Sequence, residues 1–317
     1  MARLWLRRAA LWAATASALL LAACGSGSIE SQLHPSRMVV FGDAFADIGQ
    51  TGTRYTVNDG SINNWTLQLA SRFGITLAPA VGGGLNYATG TARITAKPDA
   101  AGNGATRTVK EQVDAFLAAG NALQSNDLVV LNAGIGDITA EVGQFNGGTE
   151  TRDQMIADVK QAGSDLGAQV RRLVAAGATH VVVVGSYNLS KSPWARQTAQ
   201  QPLLEEASLR FNDQLLLSIV DLGANVLYVD LALYYNLVVA TPTGYEMTNS
   251  TDPVCISVDP GPGIGTGAGQ VNSALCTPAT VGGQNAFSFV FADRLYPTPH
   301  AHRLFGDYAY DRIRQRW

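Results

Sequence analysis

Short apolar runs alternate with longer amphipathic stretches along most of this chain. The apolar runs predict four strands, at residues 38–41, 128–132, 180–185 and 226–230. Each run is short and bounded by Gly, Asn or Asp, as is typical of buried parallel strands. Apolar residues at three- and four-residue steps predict helices over 63–73, 155–174, 204–222 and 300–314. Strands that alternate with helices predict an α/β fold with a mainly parallel sheet covered on both faces.

Two segments lack this periodicity. Residues 94–107 and 249–285 are predicted to be long loops over the carboxyl edge of the sheet, where loops commonly shape a site. The glycines at 82–84 are interpreted as a turn, because they lack the strand and helix context of a dinucleotide site.

Residues 1–23 have the features of an export signal. A positive segment is followed by an apolar stretch too short to span a bilayer, and residues 21–24 read Leu-Ala-Ala-Cys. This tetrapeptide resembles a bacterial lipobox, which implies cleavage before Cys24 and lipid attachment to its thiol. Gly25, rather than an aspartate, implies by the same resemblance an outer-membrane destination. An ordinary secretory signal with an incidental cysteine is the alternative.

The length and composition of the chain favour a single folded domain after the export signal. We expect a signal peptide over 1–23, a flexible tether over 24–36 and a single domain over 37–317. The 317 residues are 46% hydrophobic and 15% charged, which is enough for a sizeable core. The formal charge of -3 would become about -6 after loss of the arginines in the signal peptide. No basic stripe is evident, so nucleic-acid binding is disfavoured.

The two cysteines left after Cys24 are Cys255 and Cys276. An even number of cysteines in an exported chain predicts a disulfide between them. The enclosed Gly- and Pro-rich segment has little to bury, so the cross-link would contribute about 3 kcal/mol in the chain-entropy model. Two buried free thiols are the alternative. Metal binding is disfavoured because no histidine lies near either cysteine in the sequence.

Four separated motifs point to one crevice at the carboxyl edge of the sheet. They are Gly-Asp-Ala-Phe at 42–45, Asn-Tyr-Ala-Thr-Gly-Thr-Ala at 86–92, Asn-Ala-Gly-Ile-Gly-Asp at 132–137 and Asp-Arg-Leu-Tyr-Pro-Thr at 293–298. Their order and spacing resemble the GDSL lipase and esterase family, also called SGNH hydrolases, in its bacterial secreted branch. The resemblance spans almost the whole chain after the signal peptide. It implies a flavodoxin-like three-layer α/β/α sandwich and carboxylic-ester hydrolysis without a cofactor.

The resemblance assigns roles to five positions. In the family a serine attacks the acyl carbon, a glycine N–H and an asparagine bind the oxyanion, and a histidine oriented by an aspartate takes the proton. These positions are occupied here by Ala44, Gly90, Gly136, Tyr296 and Asp293 respectively. Three of the side chains that the family's chemistry requires are therefore missing. An inactivating serine-to-alanine change explains Ala44 but not Gly136 or Tyr296.

Other polar residues of the motifs are candidates for ligand binding. Asp43, Asn86 and Asp137 are expected in the crevice, and its aspartates could hold a cation or act as acid and base. The interpretation we favour is that these aspartates hold turns by accepting backbone hydrogen bonds, and we expect no metal site. His302 matches a family histidine with an expected structural hydrogen-bonding role, and His300 is expected to be solvated. Either imidazole is a formal candidate for a replacement base.

These observations predict an envelope lipoprotein with a degenerate esterase site. Such a protein would bind an acyl- or ester-bearing small molecule or lipid without cleaving it, and would contact the membrane through Cys24. Two alternatives remain open. One is an active esterase, lipase or phospholipase in which Ala44 is engineered or another hydroxyl substitutes for the serine. The other is an accessory protein with a protein partner in the envelope.

Overall fold

Four parallel strands form the central sheet. The computed structural model describes residue 31, residues 33–120 and residues 122–317. The strands lie side by side in the order β1 (Met38–Gly42), β2 (Leu128–Asn132), β3 (His180–Val184) and β4 (Val226–Tyr228). Strands β1 and β2 are buried along their whole length, as expected for a parallel sheet covered on both faces. The four predicted strands are confirmed to within two residues at their ends.

The sheet continues beyond β1 through an irregular segment. The Val40 N–H donates to the Leu85 carbonyl at 2.9 Å, and the Tyr87 N–H donates to the Val40 carbonyl at 2.7 Å. This pairing brings the start of the 86–92 motif beside β1. The motifs that follow β1 and β2 lie at the same edge, because parallel strands end together.

Helices flank the sheet in two layers. They are α1 (Trp65–Arg72), α2 (Val109–Ala118), α3 (Ile135–Asn146), α4 (Arg152–Ala175), α5 (Pro193–Thr198), α6 (Gln201–Ile219), α7 (Leu231–Ala240) and α8 (Pro299–Arg316). Helix α1 packs against α8, and α4 packs against α6. Gly306 and Gly163 allow these close approaches, since a Cβ on Gly163 would lie 2.5 Å from the Phe211 carbonyl oxygen. The predicted three-layer α/β/α architecture is confirmed.

Several elements differ from the sequence-based expectation. The periodicity predicted α1, α4, α6 and α8 but did not predict α2, α3, α5 or α7. The segment 249–285, expected to be a long loop, contains the short strands β5 (Asn249–Pro253), β6 (Val258–Asp259) and β7 (Gln270–Val271). Strand β5 pairs in parallel with β8 (Phe289–Phe291), and β6 pairs antiparallel with β7. The expectation failed there because these strands are too short to establish an apolar pattern.

The predicted disulfide between Cys255 and Cys276 is confirmed. The two Cα atoms lie 5.9 Å apart, and the cysteines belong to a small apolar cluster with Val57, Val254 and Val281. This cluster is separate from the main core. The cross-link therefore anchors a segment that has little apolar surface of its own to bury.

The folded unit comprises Leu33–Trp317. Leu33 is 4% exposed and packs in the main core, although it lies in the stretch expected to be a tether. The predicted signal peptide at 1–23 and Cys24 lie outside the described residues. Within the described part of the chain, none of the helices has the length and apolar character needed to cross a bilayer.

Candidate functional site

The side chain at the nucleophile position is a buried methyl group. Ala44 follows β1 in a tight turn, in which the Asp47 N–H donates to the Asp43 carbonyl at 3.1 Å. Ala44 has no exposed surface. Gly42 permits the entry to this turn, because a Cβ there would lie 2.1 Å from the Asn132 carbonyl oxygen on β2. Position 44 therefore offers neither a reactive atom nor access from solvent.

Asp43 connects this turn to helix α3. Its Oδ2 accepts hydrogen bonds from the N–H groups of Gly134 and Ile135 at 3.1 and 3.0 Å, and its Oδ1 accepts from the Phe45 N–H at 3.0 Å. Burial raises the pKa of Asp43 to about 6, against the lowering effect of these backbone donors. Helix α3 has Gly134 at its N-cap and therefore no side-chain cap of its own. The Asp43 carboxylate accepts the hydrogen bonds of the backbone N–H groups at this helix start instead.

The glycine assigned to the oxyanion hole already donates its hydrogen bond. The Gly90 N–H donates to Asp47 Oδ2 at 2.8 Å. Asp47 Oδ1 accepts from the N–H groups of Gly49 and Gln50, so this carboxylate joins two loops. Burial raises the pKa of Asp47 to about 6, against these hydrogen bonds. Tyr55 covers the other side of Gly90, where an added Cβ would lie 2.1 Å from the Tyr55 hydroxyl oxygen.

The second oxyanion position is closed by the backbone. Gly136 is in the first turn of α3, and a Cβ there would lie 2.2 Å from the Ala92 carbonyl oxygen and 3.2 Å from the Thr91 carbonyl oxygen. Contacts shorter than 3.0 Å are essentially never made by real Cβ atoms. An asparagine cannot be accommodated at this position unless the 91–92 backbone moves.

Asp293 and Tyr296 form a closed turn before α8. Asp293 Oδ1 accepts from the N–H groups of Leu295 and Tyr296 at 2.8 and 2.7 Å, and Oδ2 accepts from the Ser273 N–H at 3.0 Å. Burial raises the pKa of Asp293 against these hydrogen bonds. Tyr296 is 1% exposed, and its ring centroid lies 5.3 Å from that of Tyr55. Burial also holds the pKa of the Tyr296 phenol well above its ordinary value, so this group keeps its proton.

The remaining candidate ligand-binding residues bond to the backbone. Asn86 donates to the Ala46 carbonyl at 3.0 Å and accepts from the Ala88 N–H at 3.0 Å. Asp137 accepts from the Ile94 N–H at 3.0 Å. Burial raises the pKa of Asp137 to about 7, against the nearby Arg93 guanidinium. These contacts agree with the turn-holding interpretation of the aspartates.

An acidic cluster lies elsewhere in the described part of the chain. Oxygen atoms of Glu141, Glu150 and Asp158 lie within 4.8 Å of one another. Arg93 forms an ion pair with Glu141, so this group already contains a cation.

The sequence of this chain matches a known protein family. A sequence model of the GDSL-like Lipase/Acylhydrolase family matches residues 38–309. The chain belongs to the GDSL-like lipase and acylhydrolase family. The match covers every strand of the central sheet and all four motifs. It also covers positions 44, 136 and 296, to which the sequence resemblance assigns the family's reactive side chains.

Two curated relatives of this family member are similar over most of its length. An uncharacterised protein in the trpE-trpG intergenic region of Pseudomonas putida is 25% identical and covers 98% of this chain and 54% of its own. Lipase 1 of Photorhabdus luminescens is 25% identical and covers 86% of this chain and 49% of its own. A crystal structure aligned over 89% of this chain and 97% of the other has a TM-score of 0.47 and 16% identity. The chain thus spans about half the length of the curated relatives.

Neither imidazole near the last motif replaces the family's base. His302 is fully buried with its ring centroid 5.0 Å from that of Phe45, and its two ring nitrogens lack a hydrogen-bond partner among the described residues. Burial lowers its pKa to about 3, and the nearby Tyr55 backbone opposes this shift without offsetting it. The ring packs on Phe45, and a hydrogen-bonding role for His302 stays a prediction.

His300 also differs from its expected state. It is 6% exposed rather than solvated, and its ring stacks on Phe287 at 3.7 Å between centroids. Its Nε2 lies 3.1 Å from the Tyr245 carbonyl oxygen. A hydroxyl and an imidazole do meet at Thr179 and His180, 3.1 Å apart, but this pair begins β3 and so lies at the opposite edge of the sheet.

Sequence reasoning missed the residues that fill the crevice. Asp47, Tyr55, Ala92 and Ser273 each contact an assigned position from a different segment of the chain. Asp47 lies in the same block as Asp43, and a second aspartate four residues after the first was the one signal available. Ala92 ends the 86–92 motif, but no role was assigned to it, and nothing in the local sequence marked Tyr55.

Proposed function

We propose that this chain is a non-hydrolysing member of the GDSL-like family that binds an acyl- or ester-bearing ligand. The observation that carries the proposal is the hydrogen bond of 2.8 Å from the Gly90 N–H to the Asp47 carboxylate. An oxyanion hole must present free donors to the negative charge that develops on the substrate. Here the carboxyl group of Asp47 already accepts that hydrogen bond.

The remaining steps of ester hydrolysis also lack their groups. Ala44 has no nucleophilic atom, and the protonated Tyr296 phenol is a poor base. Loss of one oxyanion donor alone costs about 3 kcal/mol of transition-state stabilisation in comparable enzymes. The three losses need not add, because such residues act as a unit. Any one of them predicts a severe loss of turnover.

The test is hydrolysis of nitrophenyl acetate, butyrate and octanoate by the purified full chain and its Ala44→Ser variant. We expect neither protein to exceed the rate in buffer, because restoring the hydroxyl restores neither the base nor the oxyanion donors. Phenylmethylsulfonyl fluoride labelling of the variant gives a readout that does not depend on the choice of substrate. Turnover by the unchanged chain, or esterase activity gained through Ala44→Ser alone, would refute the proposal.

We also propose that the protein is exported and lipid-anchored in the outer membrane. The Leu-Ala-Ala-Cys sequence at 21–24 supports this location. The Cys255–Cys276 disulfide is a further support, since such bonds persist in oxidising compartments outside the cytosol.

A further inference from the structure

A surface groove of about 510 Å³ lies beside the closed nucleophile position. Its wall includes Thr89, which precedes Gly90, and Gln112 of helix α2. Gln112 accepts from the Gly42 N–H and donates to the Gly42 carbonyl, both at 2.9 Å. The groove therefore adjoins the turn that contains Ala44, while Ala44 itself stays buried. Its volume is in the range of small-molecule sites.

Four polar side chains of the lining bond to the protein rather than facing the groove as free donors. Gln112 is held by Gly42 as described, and Gln50 donates to the Asn86 carbonyl and accepts from the Val81 N–H. The Thr89 hydroxyl donates to the Tyr87 carbonyl at 3.0 Å. These side chains thus offer mainly their carbon atoms to a ligand.

Thr106 is the fourth of these side chains. Its hydroxyl donates to Asp99 Oδ2 at 2.6 Å. Asp99 Oδ1 also accepts from the N–H groups of Ala101 and Asn103. This carboxylate fixes the loop that forms one wall, so the groove is shaped before a ligand enters.

The rest of the lining combines apolar surface with the exposed polar residues Thr51 and Asn103 and one cation. Ala80, Val81, Ala105 and the half-buried ring of Tyr87 supply apolar surface. Arg107 is exposed, and no carboxylate lies within ion-pair distance of it among the residues that the structure describes. Its charge is close enough to lower the pKa of the Tyr87 phenol, against the raising effect of burial. An unpaired guanidinium beside apolar walls is complementary to an anionic head on an aliphatic tail.

We infer that this groove binds an aliphatic carboxylate, with the carboxylate on Arg107 and the acyl chain along Val81, Tyr87 and Ala105. The inference rests on the proposed ligand-binding role. It adds where the ligand binds and that the head group of the ligand is negatively charged. Since the chain carries a net charge of -3, an anion would be attracted to this cation but not to the protein as a whole.

The test is calorimetric titration of the purified full chain with octanoate, octanol and octylammonium. We expect octanoate to bind best, and Arg107→Gln to weaken octanoate about tenfold while changing octanol less than twofold. Arg107→Lys retains the charge and should recover most of the affinity. Arg210→Gln, which removes an exposed arginine outside the groove, is the matched control and should change nothing. Both glutamine variants replace surface side chains, and their thermal melts should match the parent.

The outcomes separate the inference from the proposed function. Octanoate binding that is unchanged by Arg107→Gln, or equal binding of octanol and octanoate, overturns the assigned groove and leaves the non-hydrolysing role standing. Failure of octanoate to bind at millimolar concentration overturns the groove as well. Turnover of nitrophenyl esters contradicts the proposed function. It does not change what the Arg107→Gln titration shows about octanoate binding in the groove.

Discussion

Replacement of Gly136 by alanine tests the closure of the oxyanion position. The new Cβ would lie 2.2 Å from the Ala92 carbonyl oxygen, well inside van der Waals contact. The obstacle is backbone, so it cannot rotate away as a long side chain could. The adjacent backbone is also restrained, because the Ala92 N–H donates to Thr89 and the Thr91 carbonyl accepts from the Ala100 N–H at 3.0 Å.

Two opposing effects set the magnitude. Alanine is favoured over glycine within a helix by up to about 1 kcal/mol. Forcing extra volume into a packed site costs about 1–3 kcal/mol or more. Because the new Cβ would meet two main-chain oxygens, the nearer of them at 2.2 Å, we place the clash at the upper end of that range. The expected net effect is a decrease of about 2 kcal/mol in the free energy of unfolding.

Urea unfolding followed by circular dichroism measures this change. Gly143 in the same helix α3 is the matched control, since nothing lies within 4 Å of an added Cβ there. Gly143→Ala should raise the free energy of unfolding by about 0.5–1 kcal/mol. If Gly136→Ala is as stable as the parent, the 91–92 backbone moves easily and position 136 is not closed.

Three further predictions concern other parts of the chain. The depressed pKa of His302, about 3 in the folded protein, means that stability is lost as pH falls below 6.5. His302→Phe should therefore gain about 2 kcal/mol relative to the parent between pH 8 and pH 5, and equal differences at both pH values would contradict this. Replacing Cys255 and Cys276 with alanine should cost about 3 kcal/mol in urea unfolding, and an unchanged midpoint would show that the cross-link is dispensable. Cys24→Ser should abolish labelling by radioactive palmitate and release the protein from the membrane fraction, whereas retention of the label would exclude lipidation at this residue.

The strands could be predicted from sequence because burial on both faces makes them continuously apolar. Strand β2 was located at Leu128–Asn132, the residues found in the structure. Helix α3 could not be located in the same way. It contains Gly136 and Gly143, and the donors at its start are satisfied by Asp43, a residue 92 positions away from Ile135. A helix start that depends on a tertiary contact leaves no local signal.

The family's motifs assigned positions to the site, but the residues that contact those positions could not be predicted from the sequence. Gly90 bonds to Asp47 across 43 positions, and Tyr55 and Ala92 reach Gly90 and Gly136 from separate loops. These contacts form only once the motifs meet at the edge of the sheet. The motifs therefore assigned the positions, and the structure shows which residues from other segments contact them.

Two of the assigned positions at the crevice are physically linked through Tyr55. Its ring packs on Gly90 and lies 5.3 Å from the ring of Tyr296, so one side chain contacts both an oxyanion position and the base position. Asp43 stabilises the same region without a catalytic role, because it accepts hydrogen bonds from the N–H groups at the start of α3. The Gly-Asp motif therefore has a structural role that does not depend on the side chain at position 44. If the chain is non-hydrolysing as proposed, hydrolysis at this crevice would require at least a hydroxyl, a base, a shift of the 91–92 backbone and release of Gly90 from Asp47, which no single substitution provides.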